Sequence, residues 1–516
     1  MAPRQKVDFK APKHTLLDSE IVRSRFSLRS FSSRPPQSLK LLHRDNNIPS
    51  EEKAEMSEPK AKEVKPTVEE LLAKAKKPSM LAPPLHRFYE GKVQIMPKCV
   101  VSSPKDFAVW YTPGVAAVCK EIQADRDKSF ELTNRWNYVA VVSDGTRVLG
   151  LGDIGPEAGM PVMEGKALLF KYLGGVDAFP ICLKTKDPEE IIKACELIEP
   201  TFGGINLEDI EKPKCFYVLE KAREKLHIPV WHDDQQGTAT VILAGLMNAF
   251  KIVGKDPKKA LITLVGAGSA NLRTAYVLIR WGIRPGNIML VDTKGVVYAG
   301  RRDITKDQDR WKYELAQKTN AEHRTGDITE AFKNVDAVVA ASKPGPGTIR
   351  KEWIKTMADD SIIFACANPI PEIWPWEAEE AGARIIATGR SDFPNQVNNS
   401  LGFPAIFRGV LDVRAKTVTD DMCIAAAQEL AKFAEERGMH EKDILPRMEE
   451  WEVFPREAVA CALKSIDEGV ARIKPSKKEL YDRAVAIIQN ARESLAVLMK
   501  QGLIKPMPPE DKLLGR

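Results

Sequence analysis

Two adjacent carboxylates, Asp233 and Asp234, stand in the stretch Trp231-His-Asp-Asp-Gln-Gln-Gly-Thr-Ala239. Ile228 to Val230 read as a short buried strand, and Thr240 to Phe250 have the apolar spacing of a helix packed on a sheet. The pair therefore falls where a strand ends and a helix begins, the edge at which open α/β sheets bind ligands. Carboxylates held side by side are costly unless a cation compensates them. A hard divalent ion, Mg²⁺ or Mn²⁺, prefers oxygen ligands, so a metal site is expected. Glu208 and Asp209 follow "FGGIN" at another strand end. With Asp234 they would supply three carboxylates from two strand termini of one parallel sheet. Taken alone, such a charged pair is equally a solvated turn or a helix cap.

Other side chains could work beside that ion. Lys166 lies in Gly165-Lys166-Ala167, where a helix from Met163 to Tyr172 is expected to begin. A cation near a helix N-terminus is opposed by the dipole, which favours the neutral amine and a general-base role; the ordinary alternative is a surface lysine. Tyr111 sits in the turn sequence Trp110-Tyr-Thr-Pro-Gly114, as a packing residue or a proton donor. Arg147, after Asp144-Gly145, is a surface arginine or a bidentate clamp for a carboxylate. Asn368 and Asn398 occupy turn sequences after later strands, where asparagine is common for conformational reasons alone.

A cofactor signal lies further on. "ALITLV" (260–265) leads into Gly266-Ala267-Gly268-Ser269-Ala270-Asn271 and a helix to Trp281, and "NIMLVD" then ends at Asp292. Strand, glycine turn, helix and an acid at the next strand end are the context of a dinucleotide fingerprint. The glycines let backbone N–H groups approach a pyrophosphate. Asp292 would accept from a ribose 2′-hydroxyl, favouring NAD. NADP stays open because Lys294, Arg301 and Arg302 follow and could meet a 2′-phosphate. Asn271 replaces the usual third glycine or alanine, leaving the helix-to-strand packing open.

The elements that must position these groups alternate. Strand-like runs at "YVAVVSD" (138–144), "VLGLGD" (148–153), 176–183 and 202–207 are interleaved with helices at 163–172, 188–197 and 213–226. That alternation predicts a parallel sheet covered on both faces. Beyond the glycine turn, strands at 335–341, 362–367 and 384–388 predict a doubly wound domain. The expected fold is α/β: an N-terminal substrate- and metal-binding domain over 66–256, a Rossmann-type domain over 257–419, and a helical segment over 420–516. Thr67 to Glu70 reads as a capping box opening a short helix to Lys77.

At 516 residues, 43% apolar and 29% charged, the composition is that of a soluble globular protein. No run of eighteen apolar residues occurs, so no membrane span is expected. The net charge of +6 belongs to residues 1–50, with ten Lys/Arg against four Asp/Glu; residues 51–516 carry 67 of each sign. A neutral body argues against nucleic acid as partner. Eight cysteines without a Cys-x-x-Cys pair read as free thiols of a reducing compartment, not as structural zinc. Residues 1–65 read as a disordered leader. Its Arg/Ser-rich part is similar to a mitochondrial transit peptide, although Asp8, Asp18 and Glu20 depart from that pattern. Met56 is an alternative natural start, so cytoplasm or mitochondrial matrix is the expected location.

In order, the motifs Tyr-Thr-Pro-Gly-Val-Ala, residues 143–171, Leu-Glu-Asp-Ile, His-Asp-Asp-Gln-Gln-Gly-Thr-Ala, Val-Gly-Ala-Gly, Ala-Asn-Pro-Ile-Pro-Glu and Asn-Gln-Val-Asn-Asn-Ser-Leu-Gly-Phe-Pro resemble malic enzyme in its shorter prokaryotic-type form. The resemblance runs from about Tyr111 to Ala415. It implies oxidative decarboxylation of L-malate to pyruvate and CO₂ with NAD(P) and Mg²⁺ or Mn²⁺. It implies Tyr111 as general acid, Lys166 as general base, and Glu208, Asp209 and Asp234 as metal ligands. Arg147, Asn368 and Asn398 would bind substrate or nicotinamide. A homodimer or higher homo-oligomer is implied as well. A malolactic enzyme, releasing lactate, and a non-catalytic NAD-binding regulator are the competing readings.

Overall fold

The two carboxylate turns are neighbours because their strands are. In the first sheet β1 (Tyr138–Ser143) pairs with β2 (Asp177–Cys182) and β3 (Gly204–Leu207), and β3 pairs with β4 (Val230–His232), all parallel, in the order β2-β1-β3-β4. Leu207 lies opposite His232, so β3 and β4 end level. Glu208-Asp209 and Asp233-Asp234 therefore leave the same edge side by side. The computed structural model describes residues 67–515, and the expected leader with its transit-peptide and start-site readings lies outside them.

Several local expectations change. The capping box is present: Thr67 Oγ1 accepts from Glu70 N at 3.2 Å, and Glu70 Oε2 from Thr67 N at 2.7 Å. Its helix continues past Lys77 to Tyr89. "VLGLGD" is a glycine turn and not a strand, closed by Val148 N donating to Gly152 O at 2.9 Å, with Gly152 at φ +82°. The helix expected from Met163 starts at Pro156, a proline at its first turn where a missing N–H costs nothing. After β4 the chain makes a π-helical turn, Asp233–Gly237, before the helix Thr238–Val253. Asp233–Val253 is long and apolar enough to cross a membrane by length and composition, but 83% of that window is buried inside the protein. It is a core helix.

The second sheet runs β10-β9-β8-β5-β6-β7. Its strands are β5 (Ile262–Val265), β6 (Ile288–Asp292), β7 (Gly295–Val296), β8 (Ala337–Ala340), β9 (Ile362–Ala365) and β10 (Ile385–Thr388). All pairs are parallel except β6–β7. The order reverses between β5 and β8, and a crevice opens there at the strands' carboxyl ends. The glycine turn follows β5. Asn271, buried, donates from its amide to Val265 O at 2.8 Å and Val339 O at 3.3 Å. It thus joins the ends of β5 and β8 where a small residue would have given close contact instead.

The helical segment beyond residue 420 is not an appendage. Phe403, Phe407, Met422, Val459 and Leu480 share one buried cluster with Val139, Val141, Met163, Phe170 and Trp231 of the first domain. Gly409 has Ala458 O where a Cβ would stand, 2.3 Å away. The described residues form one compact unit.

Candidate metal and dinucleotide site

Lys166 projects from the helix Pro156–Gly174, which connects β1 to β2, into the edge formed by β3 and β4. Its Nζ donates to Asp233 Oδ2 at 2.6 Å and lies 3.0 Å from Glu208 Oε1. The amine also stands 4.4 Å from the Phe403 ring centroid, a cation–π contact. Because the helix begins at Pro156, Lys166 lies well inside it, and the expected dipole effect does not reach it. Burial alone would lower its pKa, but Asp233 and Glu208 outweigh burial and raise it. In this arrangement Lys166 is a cation.

Glu208, Asp209 and Asp234 each place a carboxylate oxygen within 4.8 Å of the other two. Asp209 N donates to Asp234 Oδ2 at 2.9 Å, and Asn206 Nδ2 to Glu208 Oε2 at 2.8 Å. Burial raises the pKa of each acid, and repulsion from neighbouring carboxylates adds to it at Glu208 and Asp209; Asp209 is pushed up to about 8. Asp209 Oδ2 is buried without a partner. Oxygen donors, an orphaned carboxylate atom and a cluster of acids that outnumbers its one buried lysine fit a hard divalent cation. Glu208, Asp209 and Asp234 would hold it.

Sequence reasoning placed Asp233 in the carboxylate pair but missed that it holds Lys166. Asp233 is fully buried and also accepts from Trp231 Nε1 at 3.2 Å and from the Asn399 amide. A Cβ on Gly237 would fall 2.0 Å from Asp233 Oδ1, so the turn requires glycine there. His232 has no hydrogen-bond partner for either ring nitrogen among the described residues, and burial takes its pKa down to about 3. It is neutral, and its 3.6 Å approach to Asp234 is not an ion pair.

Of the expected substrate residues, Arg147 reaches the rim of this cluster. Its N–H donates to Asp209 O at 2.9 Å, and its charge lowers the Asp234 pKa against burial. Asn368 is exposed at the end of β9, with its carbonyl 3.6 Å from where a Gly150 Cβ would stand, so it faces the Arg147 turn across the cleft. Asn398 Oδ1 accepts from Ser400 N at 2.9 Å, capping a short turn; its neighbour Asn399 is the one that touches Asp233. Tyr111 is not brought in. It is 72% exposed, and its hydroxyl has no partner among the described residues. It rides on the segment 93–111, whose Ile95, Val100, Val109 and Trp110 are also half exposed or more.

The nucleotide turn fits its ligand. Gly266 has φ +95°, and a Cβ there would meet Ala341 O at 2.6 Å. A Cβ on Gly268 would meet nothing within 4 Å, which leaves open space in front of the helix Ser269–Trp281. That helix has no side-chain cap, so its first N–H groups, with Ala267, Ser269 and Ala270 around them, are available to an anion. Asp292 is paired with Arg301 and Lys312 and accepts from Lys294 N at 2.8 Å. Against burial these partners take its pKa down to about 2. Every Arg301 nitrogen is engaged, by Asp292, Asp303, Gly295 O and Val296 O. The expectation that Arg301 could meet a 2′-phosphate is therefore corrected. Glu372, also missed, accepts from Ser342 N at 2.8 Å and Ala367 N at 3.0 Å, bracing the turns after β8 and β9.

A doubly wound sheet with an open glycine turn, facing a second α/β sheet that carries lysine and acid at its edge, defines a two-domain dinucleotide-dependent oxidoreductase. Comparison with known proteins narrows the class. The malic enzyme N-terminal domain matches residues 90–223, and the malic enzyme NAD-binding domain matches residues 235–465. The chain is 45% identical over 399 residues to the bifunctional malic/malolactic enzyme of Bacillus subtilis, covering 77% of this chain and 96% of that one. It is 48% identical over 382 residues to the NAD-dependent malic enzyme of Geobacillus stearothermophilus, covering 74% and 78%. The crystal structure of Entamoeba histolytica malic enzyme superposes with a TM-score of 0.84 at 47% identity, covering 86% of this chain and 93% of that one. The chain belongs to the malic enzyme family.

Proposed function

We propose that this protein oxidises and decarboxylates L-malate to pyruvate and CO₂ with NAD as the hydride acceptor, assisted by Mg²⁺ or Mn²⁺. The observation that carries this reading is the buried lysine clasped by Asp233 and by Glu208 at the edge of a carboxylate triad. A cation held by Glu208, Asp209 and Asp234 would supply Lewis acidity at the substrate oxygens, and the dinucleotide would take the hydride from C2. Lys166 is charged while Glu208 and Asp233 both face it. Once Glu208 is engaged elsewhere, Lys166 keeps one partner, and Asp233 can take its proton and leave the amine free to receive the one on the C2 hydroxyl. Arg147, at the rim, is placed to pair with a substrate carboxylate. Loss of CO₂ leaves C3 needing a proton, the role proposed for Tyr111.

Tyr111 supports a second element of the proposal, a homodimer. The apolar side chains of the segment 93–111 are exposed among the described residues, and Leu149 and Leu151, 63% and 70% exposed, flank Arg147 at the site. A second copy that lays its segment over these leucines would bury both surfaces and bring Tyr111 to the neighbouring Lys166. NAD is favoured over NADP because Asp292 is a fixed anion at the ribose end and Arg301 has no free donor.

The deciding experiment follows absorbance at 340 nm with L-malate, Mn²⁺ and NAD or NADP in parallel, with pyruvate and lactate assayed separately. Reduction matched by pyruvate, faster with NAD, is expected. Lactate without net reduction would replace this reading with the malolactic one, which the Bacillus subtilis relative makes the nearest alternative. Binding of NAD without turnover under any condition would overturn both.

A further inference from the structure

Between the carboxylate edge and the nucleotide turn stands a lysine that neither the metal site nor the catalytic step uses. Lys212 comes three residues after Asp209, on the segment that leads into the helix Lys214–Lys225. Its side chain leaves the first domain: Nζ donates to Ala267 O at 2.6 Å and pairs with Asp309 at 3.2 Å. Ala267 is the middle residue of the Gly266-Ala267-Gly268 turn. Asp309 caps the helix Arg310–Lys318, accepting from Lys312 N at 3.0 Å. The Lys212 side chain is 35% exposed, so its amine remains within reach of a ligand.

A carbonyl and a shared carboxylate do not exhaust an ammonium group with three donors. The direction the amine faces is set by Ala267, whose turn opens onto the empty space in front of Gly268 and the uncapped helix Ser269–Trp281. Backbone N–H groups there supply only partial charges to a pyrophosphate that carries two full negative ones. The cations at the ribose end of the cleft, Arg301 and Lys312, are paired with Asp292. Lys212 is the full positive charge hydrogen-bonded to the turn itself, and it belongs to the domain that carries the metal ligands.

We propose that Lys212 is a pyrophosphate-binding residue, contributed by the substrate domain to the dinucleotide cradle of the other domain. The assignment rests on the NAD(P) reading above. It links the two halves of the site physically: the segment 208–212 starts with metal ligands and ends on the nucleotide turn.

The test is equilibrium binding to the metal-free full chain, without malate, read by protein fluorescence. NAD, ADP-ribose and adenosine are compared in the wild type, Lys212→Gln and Lys212→Arg. A charge-assisted hydrogen bond to a phosphate predicts that Lys212→Gln weakens NAD and ADP-ribose equally, by about tenfold, and leaves adenosine within about twofold. Lys212→Arg should retain both within about threefold, and the loss in Lys212→Gln should shrink at high salt. Unchanged NAD and ADP-ribose affinities in Lys212→Gln would overturn the assignment, and so would an equal loss for adenosine, which would mark a disturbed turn. A wild type that binds neither NAD nor ADP-ribose would instead overturn the cofactor reading on which the assignment stands.

Discussion

If Tyr111 serves the neighbouring subunit, two inactive variants should repair one another. Tyr111→Phe keeps Lys166 and removes the phenolic proton, and Lys166→Ala keeps Tyr111 and removes the amine. Tyr111 is 72% exposed and carried on an apolar segment, whereas Lys166 is 7% exposed beneath Asp233 and Glu208. In a two-fold dimer with exchanged segments, the hybrid of these variants holds one site with both native groups and one with neither. Co-expression with different affinity tags and two-step purification isolates that hybrid. Its kcat per dimer should be about half the wild-type value, and an unfractionated equal mixture should show about a quarter, because random pairing makes about half the dimers hybrid. Each variant alone should lose about 10²–10⁴-fold in kcat, the range for removal of a general acid or base. A purified hybrid as inactive as its parents would refute delivery in trans. Full activity of Tyr111→Phe would refute the proton-donor role itself.

Three further outcomes follow from the same geometry. Asp233→Asn should reduce kcat by about 10²–10³-fold while leaving metal binding intact, because Asp233 holds Lys166 but lies outside the ligand triad; a parallel loss of Mn²⁺ affinity, measured by calorimetry, would contradict that division. Mn²⁺ at about a hundred times its Kd should stabilise the fold by ~2.7 kcal/mol, seen as a rise in the thermal midpoint that EDTA reverses and Asp234→Asn abolishes; an undiminished rise in Asp234→Asn would place the ion elsewhere. Asp292 has its pKa depressed to about 2, so its ion pairs with Arg301 and Lys312 stabilise fully above the ordinary carboxylate pKa of about 3.8 and are lost only as pH falls from there toward 2. The NAD affinity ratio between wild type and Asp292→Asn should therefore be the same at pH 8 and pH 5.5, and a ratio that shrinks at pH 5.5 would show that Asp292 titrates there.

The parts of the site that were legible in the sequence are those set by local pattern. A strand run followed by acids places Glu208, Asp209 and Asp234 at strand ends whatever the rest of the chain does, and β3 lying beside β4 then brings them together. The glycine turn was legible for the same reason, since Gly266 and Gly268 have a conformational and a steric task within a few residues of β5. Lys166 lies at the acid edge, but in another electrostatic setting than the sequence pattern suggested. Taking its helix to start at Met163 instead of Pro156 put it at a positive helix end and made it neutral, whereas its actual neighbours are two acids that make it a cation.

What escaped sequence reasoning depends on contacts across separations no local window spans. Asp233 meets Asn399 across 166 positions, Lys212 meets Ala267 across 55, and Phe403 comes from the far half of the chain to cover the Lys166 amine. These contacts are where the two sheets and the C-terminal helices meet, so they exist only once the whole body has packed. The same argument explains Tyr111. Its segment has a strong apolar pattern and stays exposed among the described residues, and the surface that would cover it in the proposed dimer, including Leu149 and Leu151, is exposed beside the site. A buried acid–lysine cluster left open at its apolar rim is the site that the proposed second copy would complete, by supplying both the cover and the proton donor.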